Sequence, residues 1–116
     1  MLILGDDIGT GDVQNYWNDI TPTNSKNTVL MPNLQELMDK GVKFTDAHSS
    51  PLCAPSRYML LSGNYAHRGR QFGGTFHLNY QANQFFPEQQ SIAQVLKDGG
   101  YHTAMVGKWH LGGTSV

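Results

Sequence analysis

The chain has 116 residues, of which 39% are hydrophobic and 15% charged, and its formal net charge is -1. This composition is typical of a globular protein, and it excludes both intrinsic disorder and the basic footprint of a nucleic-acid-binding protein. The length permits one hydrophobic core but not two complete domains. No apolar run reaches the roughly 18 residues that a membrane span needs, and the single cysteine excludes an internal disulfide.

Short β-like runs alternate with amphipathic helical runs along the chain, which predicts an α/β architecture. We predict strands over 1–4, 42–47 and 103–106. We predict three helices, each ended by a glycine: from Pro32 to Gly41, from about Cys53 to Gly63, and from a cap at Ser91 to Gly99. The polar stretches 12–28 and 65–87 are predicted to be loops.

An acidic pair, Asp6 and Asp7, follows the first predicted strand. Ligands of open α/β sheets bind at the carboxyl ends of the strands. Two adjacent carboxylates repel each other unless a cation or strong hydrogen bonds compensate them, which suits a hard divalent ion with oxygen ligands. Taken alone, the pair is weak evidence for a metal, because acidic pairs in turns are usually solvated or cap helices.

The only cysteine, Cys53, lies in the string CAPSRYMLLSG at the predicted start of a helix. Unpaired amide N–H groups and the helix dipole stabilise an anion at such a place. Arg57, about one turn further on, can bring a fixed positive charge toward the same point. This position therefore favours a thiolate at Cys53 or an anionic substrate beside it. The alternative interpretation is that this lone cysteine is a small core residue.

Three strings resemble signatures of the sulfatase family, in the family's order. CAPSRYMLLSG resembles the signature whose cysteine is oxidised to formylglycine, and GYHTAMVGKWHLG resembles the second signature, with Lys108 and His110 in its polar positions. LGDDIGTGD resembles the family's first metal-binding strand end. The resemblance implies the N-terminal part of a formylglycine-dependent sulfatase of the alkaline phosphatase superfamily, with residues 1–116 as an incomplete catalytic domain of the α/β/α sandwich type.

The resemblance further implies a sulfuric ester hydrolase that cleaves a sulfate ester to an alcohol and sulfate. In that chemistry the hydrated aldehyde at position 53 carries two hydroxyls, of which one attacks sulfur and the other later expels sulfate. Arg57 and Lys108 would stabilise the charge of the transition state. His110 would be the base that deprotonates the second hydroxyl, since an imidazole changes its protonation near neutral pH.

A metal and two kinds of partner are also implied by the resemblance. Asp6, Asp7 and the modified Cys53 would bind a divalent ion, with calcium the first expectation and magnesium or manganese the alternatives. The implied partners are a sulfated small molecule or glycan as substrate and a formylglycine-generating or sulfatase-maturing enzyme, with no nucleic acid and no membrane span. We expect the 116-residue chain alone to be inactive, because family members complete the metal shell and supply the leaving-group acid further along.

Two other functions are compatible with the sequence. One is a phosphonate or phosphodiester hydrolase of the same superfamily, whose specificity residues would lie downstream. The other is a non-catalytic module that binds sulfated glycans, which loss of the cysteine modification would favour. The N-terminus has no signal-peptide pattern, and the compartment stays open, since family members are often exported, periplasmic or lysosomal.

Overall fold

The computed structural model describes residues 1–13, 16, 30–70 and 83–112. Its helices are α1 (Pro32–Lys40), α2 (Cys53–Ser62) and α3 (Ile92–Asp98), with short 3₁₀ turns at Thr10–Asp12 and Ala66–Arg68. The chain divides into two compact units, 1–48 and 49–116. Among the described residues, no helix has the length and apolar character needed to cross a membrane.

Helix α2 confirms the prediction made around the cysteine, and it begins at Cys53 itself. Pro55 lies in its first turn, where the missing N–H has no intrahelical acceptor to lose. Gly63 ends the helix in the left-handed conformation, with φ of 66°, and its N–H donates to the Met59 carbonyl at 3.0 Å. A residue with a Cβ is strained at such a φ, so the glycine explains where the helix stops.

The helices α1 and α3 also begin and end where the sequence predicts. Pro32 is the first residue of α1, where its fixed φ suits the helix, and Gly41 follows the last one. The Ser91 hydroxyl caps α3 by accepting a hydrogen bond from the Gln94 N–H at 3.2 Å, and Gly99 follows its end. Local capping chemistry therefore accounts for the boundaries of both helices.

The three predicted strands are wrong for this structure, because the described residues contain no strand. The segments 1–4, 42–47 and 103–106 lack an assigned hydrogen-bonded ladder, and apolar side chains on them are exposed, Val106 at 99% and Leu2 at 62%. A strand is defined by pairing with a neighbour, so a β-like sequence without a paired neighbour is not a strand. The predicted α/β architecture is thus observed in its helical part only.

The predicted loops are partly covered by the described residues. The first contains the end of the 3₁₀ turn Thr10–Asp12, and the second contains the turn Ala66–Arg68. Tyr16 is helical, and the remaining described parts of both stretches are irregular, as predicted. Residues 14–15 and 17–28 of the first loop and 71–82 of the second lie outside the described residues.

The described residues of the unit 1–48 make contacts near its surface. The Tyr16 hydroxyl donates to the Phe44 carbonyl at 2.8 Å, and the Lys43 ammonium lies 5.1 Å from the centre of the Tyr16 ring. Helix α1 has no buried residue, and its Lys40–Glu36 ion pair is exposed to solvent. Exposed pairs of this kind contribute little to stability.

The core of the unit 49–116 joins α2 to residues near the end of the described chain. Tyr58 and Leu111 are fully buried, Phe85 is 9% exposed, and Leu61 packs against them. The Tyr58 and Phe85 rings are tilted, with centres 5.5 Å apart. The Gln89 amide nitrogen donates to the Tyr58 hydroxyl at 2.9 Å, so the buried hydroxyl has a polar partner.

We predict that Leu111→Ala lowers the free energy of unfolding by about 2–5 kcal/mol, because it leaves a cavity beside Tyr58 and Phe85. Lys97→Ala, an alanine truncation on the exposed surface of α3, should change it by less than about 0.5 kcal/mol. Urea denaturation of the protein measures both values. Equal effects of the two truncations would contradict the assignment of Leu111 to the core.

Candidate active site

The segment 107–112 is a tight turn anchored by its apolar side chains. Leu111 lies in the core, and its carbonyl accepts a hydrogen bond from the Gln84 N–H at 3.0 Å. The Trp109 ring stacks parallel to Phe85 with centres 6.2 Å apart, and its Nε1–H donates to the Gly112 carbonyl at 2.7 Å. These contacts fix the turn from the side of the core.

The backbone of this turn repeatedly visits the left-handed region. Gly107, His110 and Gly112 have φ of 111°, 57° and 69°. The two glycines adopt such angles readily, whereas His110 pays a conformational cost for them. Non-glycine residues held in this region by their surroundings concentrate at functional sites. The conformation of His110 is therefore a reason to ask what its ring contacts.

His110 contacts Cys53. The Nδ1 atom of its imidazole lies 3.2 Å from the Cys53 Sγ atom, across 57 residues of sequence. Both side chains are partly buried. An imidazole at this distance can exchange a proton with the group at position 53, which is the arrangement of a nucleophile beside its base.

The position of Cys53 adds a second electrostatic effect. Cys53 is the first residue of α2, where amide N–H groups point away from the helix and carry a partial positive charge. The first turn of α2 contains no acidic residue that would offset this charge. A negative charge that develops near position 53 is therefore stabilised by the helix.

Arg57 is buried one turn after Cys53, with 8% of its surface exposed. Its Nη1–H donates to the Lys108 carbonyl at 2.6 Å. The structure thus places the four residues predicted as catalytic in two contacting pairs, Cys53 with His110 and Arg57 with the main chain of Lys108. The Lys108 residue is exposed, and its main chain takes part in the second of these contacts.

Sequence reasoning missed how the second signature is held in place. The stack of Trp109 on Phe85 and the bond from Gln84 to Leu111 were not predicted, nor was the use of a backbone carbonyl by Arg57. The GKWHLG string does contain a usable signal, because glycines at both ends of a short polar and aromatic segment indicate a tight turn. The partners of that turn lie 20 or more residues away in sequence and have no comparable signal.

Asp6 and Asp7 belong to the unit 1–48, and both are exposed in a bend of the chain. Their carboxylate oxygens are the donors that calcium, magnesium and manganese prefer, so the chemistry of the pair fits a hard divalent ion. Such an ion takes about six or more ligands. Within the described part of the chain, no group of three or more His, Cys, Asp or Glu side chains lies where it could hold a metal. Asp6 and Asp7 can therefore supply part of the ligand shell of a divalent ion.

Comparison with known proteins agrees with the resemblance seen in the three sequence strings. The sequence profile of the Sulfatase family matches residues 1–115. Human steryl-sulfatase is 36% identical over 117 residues, covering 97% of this chain and 19% of its own length. Human arylsulfatase D is 36% identical over 120 residues, with 97% of this chain and 18% of its length covered. Arylsulfatase of Klebsiella aerogenes is 33% identical over 118 residues, covering 97% of this chain and 23% of its length.

The chain thus spans about a fifth of the length of the curated relatives it matches. The search of solved structures found no match. The family profile covers both contacting segments, the start of α2 and the 107–112 turn, as well as the acidic pair. Membership of this family implies the alkaline phosphatase type of α/β fold, of which the described residues show the helices. On these grounds the chain belongs to the sulfatase family.

Proposed function

We propose that the protein containing this chain hydrolyses a sulfate ester to an alcohol and sulfate, using a formylglycine derived from Cys53 and a divalent metal. The observation that carries the proposal is the 3.2 Å contact between Cys53 and His110. Membership of the Sulfatase family supports it, as do relatives named steryl-sulfatase and arylsulfatase. Residues 1–116 are proposed to be part of the catalytic domain.

The proton chemistry is assigned to His110. The Cys53 Sγ atom stands in for the oxygen that replaces it on Cβ after oxidation to formylglycine. The hydrated aldehyde would supply the hydroxyl that attacks sulfur, and a second one that lets sulfate leave. The Nδ1 atom of His110 lies 3.2 Å from this sulfur. As a base, the imidazole can take a proton from the hydroxyl at position 53.

Positive charges are proposed to act on an anionic substrate at position 53. The sulfate ester carries one negative charge, and charge builds up on its oxygens as the S–O bond breaks. The amide groups at the start of α2 and the Lys108 ammonium are proposed to stabilise that charge, and the Arg57 guanidinium adds a buried cation to the same site. Donors and charges fixed before the reaction need no reorganisation during it.

Asp6 and Asp7 are proposed as carboxylate ligands of the divalent metal, calcium first and magnesium or manganese otherwise. When bound, the metal would neutralise sulfate oxygens and help to ionise the hydroxyl nucleophile. Two adjacent carboxylates also become less repulsive when a cation lies between them. The substrate would be a sulfated small molecule or glycan, and the protein would also be the substrate of a formylglycine-generating or sulfatase-maturing enzyme.

We predict that the full-length, matured protein releases sulfate from 4-nitrophenyl sulfate and that Cys53→Ala abolishes this activity. His110→Ala should lower kcat by about 10²–10⁴-fold, because the base is lost. His102→Ala is the matched control, since His102 is an exposed imidazole outside the site, and it should leave kcat unchanged. Steady-state kinetics of the three variants measure these effects.

The same assay separates the alternatives. Faster turnover of a phosphonate monoester or a phosphodiester than of any sulfate ester would favour a phosphorus-specific hydrolase. Binding of a sulfated glycan without turnover by the matured protein would favour the non-catalytic module. Full activity of Cys53→Ala on sulfate esters would contradict the proposed mechanism.

A metal titration tests the acidic pair. After removal of metal with a chelator, activity should return on addition of calcium, magnesium or manganese, and Asp7→Asn should raise the concentration for half-maximal recovery by about tenfold or more, since one ligand charge is lost. Asp12→Asn is the matched control, because the Asp12 carboxylate accepts a hydrogen bond from the Gly9 N–H at 2.7 Å and lies outside the proposed ligand set. Identical titrations for the two variants would exclude Asp7 as a ligand.

A further inference from the structure

The hydrogen bond between Arg57 and the backbone of Lys108 has a bearing on the reaction beyond charge. In this bond the charged guanidinium donates to a neutral carbonyl at 2.6 Å, and Arg57 is only 8% exposed. Hydrogen bonds from charged groups are stronger than neutral ones, and exclusion of water strengthens them further. A contact of this kind fixes the position of the carbonyl that accepts it.

The accepted carbonyl lies at the end of the turn that begins with a glycine. Gly107, directly before Lys108, has φ of 111°, and a Cβ atom placed there would meet nothing within 4 Å. Glycine rotates more freely than other residues, and here the space that a Cβ would fill is open. The other end of the turn is held by Leu111 in the core and by the stack of Trp109 on Phe85. The bond from Arg57 therefore holds the turn beside its flexible glycine.

The two functional side chains depend on this support. Lys108 follows Gly107 directly, and His110 holds its ring 3.2 Å from Cys53 in a left-handed conformation. That conformation is strained in an L-residue, so it persists only where the surrounding structure imposes it. Movement of the Lys108 backbone would displace the His110 ring from position 53.

We infer that Arg57 is a positioning residue for the reaction, acting through the Lys108 carbonyl to hold His110 at Cys53. This inference rests on the proposed sulfate-ester hydrolysis, and it adds to the buried charge of Arg57 the support of the residues around the sulfate group. A positioning role lowers the rate without weakening the binding of sulfate. Loss of a residue that touches sulfate directly lowers the rate and also weakens the binding of sulfate.

The kinetic test uses the full-length, matured protein with inorganic sulfate as a competitive probe. Arg57→Gln should lower kcat by about a hundredfold, the cost of a displacement of about 1 Å in an active site, while KM and the inhibition constant of sulfate stay within about threefold. Arg57→Lys should retain more activity than Arg57→Gln, because an ammonium can still donate to the Lys108 carbonyl. Arg70→Gln is the matched control, an exposed arginine of the same unit, and should leave kcat unchanged.

A rise of about tenfold or more in the inhibition constant of sulfate with Arg57→Gln would overturn the inference, because it would show that Arg57 touches the anion. Unchanged kcat would overturn it as well. If the unsubstituted protein hydrolyses no sulfate ester, the proposed function fails, and the position of residue 110 is then tested without activity.

That second readout uses the full-length protein prepared without its maturing enzyme and carrying His110→Cys. Diamide oxidises the Cys53 thiol and the introduced thiol to a disulfide, and is itself reduced to the hydrazine by taking up the two electrons and two protons. Adding Arg57→Gln should slow the formation of this disulfide by about tenfold, because a disulfide needs close and well-directed Cβ atoms. Adding Arg70→Gln should not slow it. An equal rate with and without Arg57→Gln would overturn the inference.

Discussion

The contact between the His110 imidazole and the first residue of α2 is the interaction on which the site depends. It joins two segments that are 57 residues apart and places a base beside a side chain already subject to the positive end of a helix. Neither segment has this chemistry alone. A cysteine at a helix start lacks a proton acceptor, and a histidine in a turn lacks a group to act on.

Alternate residues of the 107–112 turn have different surroundings, and this makes the contact between His110 and Cys53 possible. Trp109 and Leu111 face the core and bind the turn to Phe85, Tyr58 and Gln84. Lys108 and His110 alternate with them along the chain and lie outside the core. Among the described residues, His110 is the one non-glycine residue with a left-handed φ. Packing on one side of the turn thus sustains the strained conformation of His110 on the other.

The helix boundaries were predictable from sequence, whereas pairing between distant segments was not. The sequence also singled out the residues that meet in the candidate site, and their catalytic roles stay a prediction. Caps and breakers act over a few residues, so Pro32, Ser91 and Gly63 indicated the helix boundaries correctly. The segment 103–106 has a β-like sequence, yet it becomes a strand only when a neighbour pairs with it, and the described residues pair it with none. The Arg57–Lys108 bond was beyond prediction for a related reason, since every residue offers the same backbone carbonyl as an acceptor.

The central claim is that position 53 is the nucleophile after oxidation and that His110 serves it. Mass spectrometry of the peptide containing residue 53, from full-length protein purified from its own cells and shown to hydrolyse a sulfate ester, tests this most directly. The account predicts that sulfur has been replaced by oxygen, as an aldehyde or its hydrate. An unmodified thiol throughout a fully active preparation would contradict it.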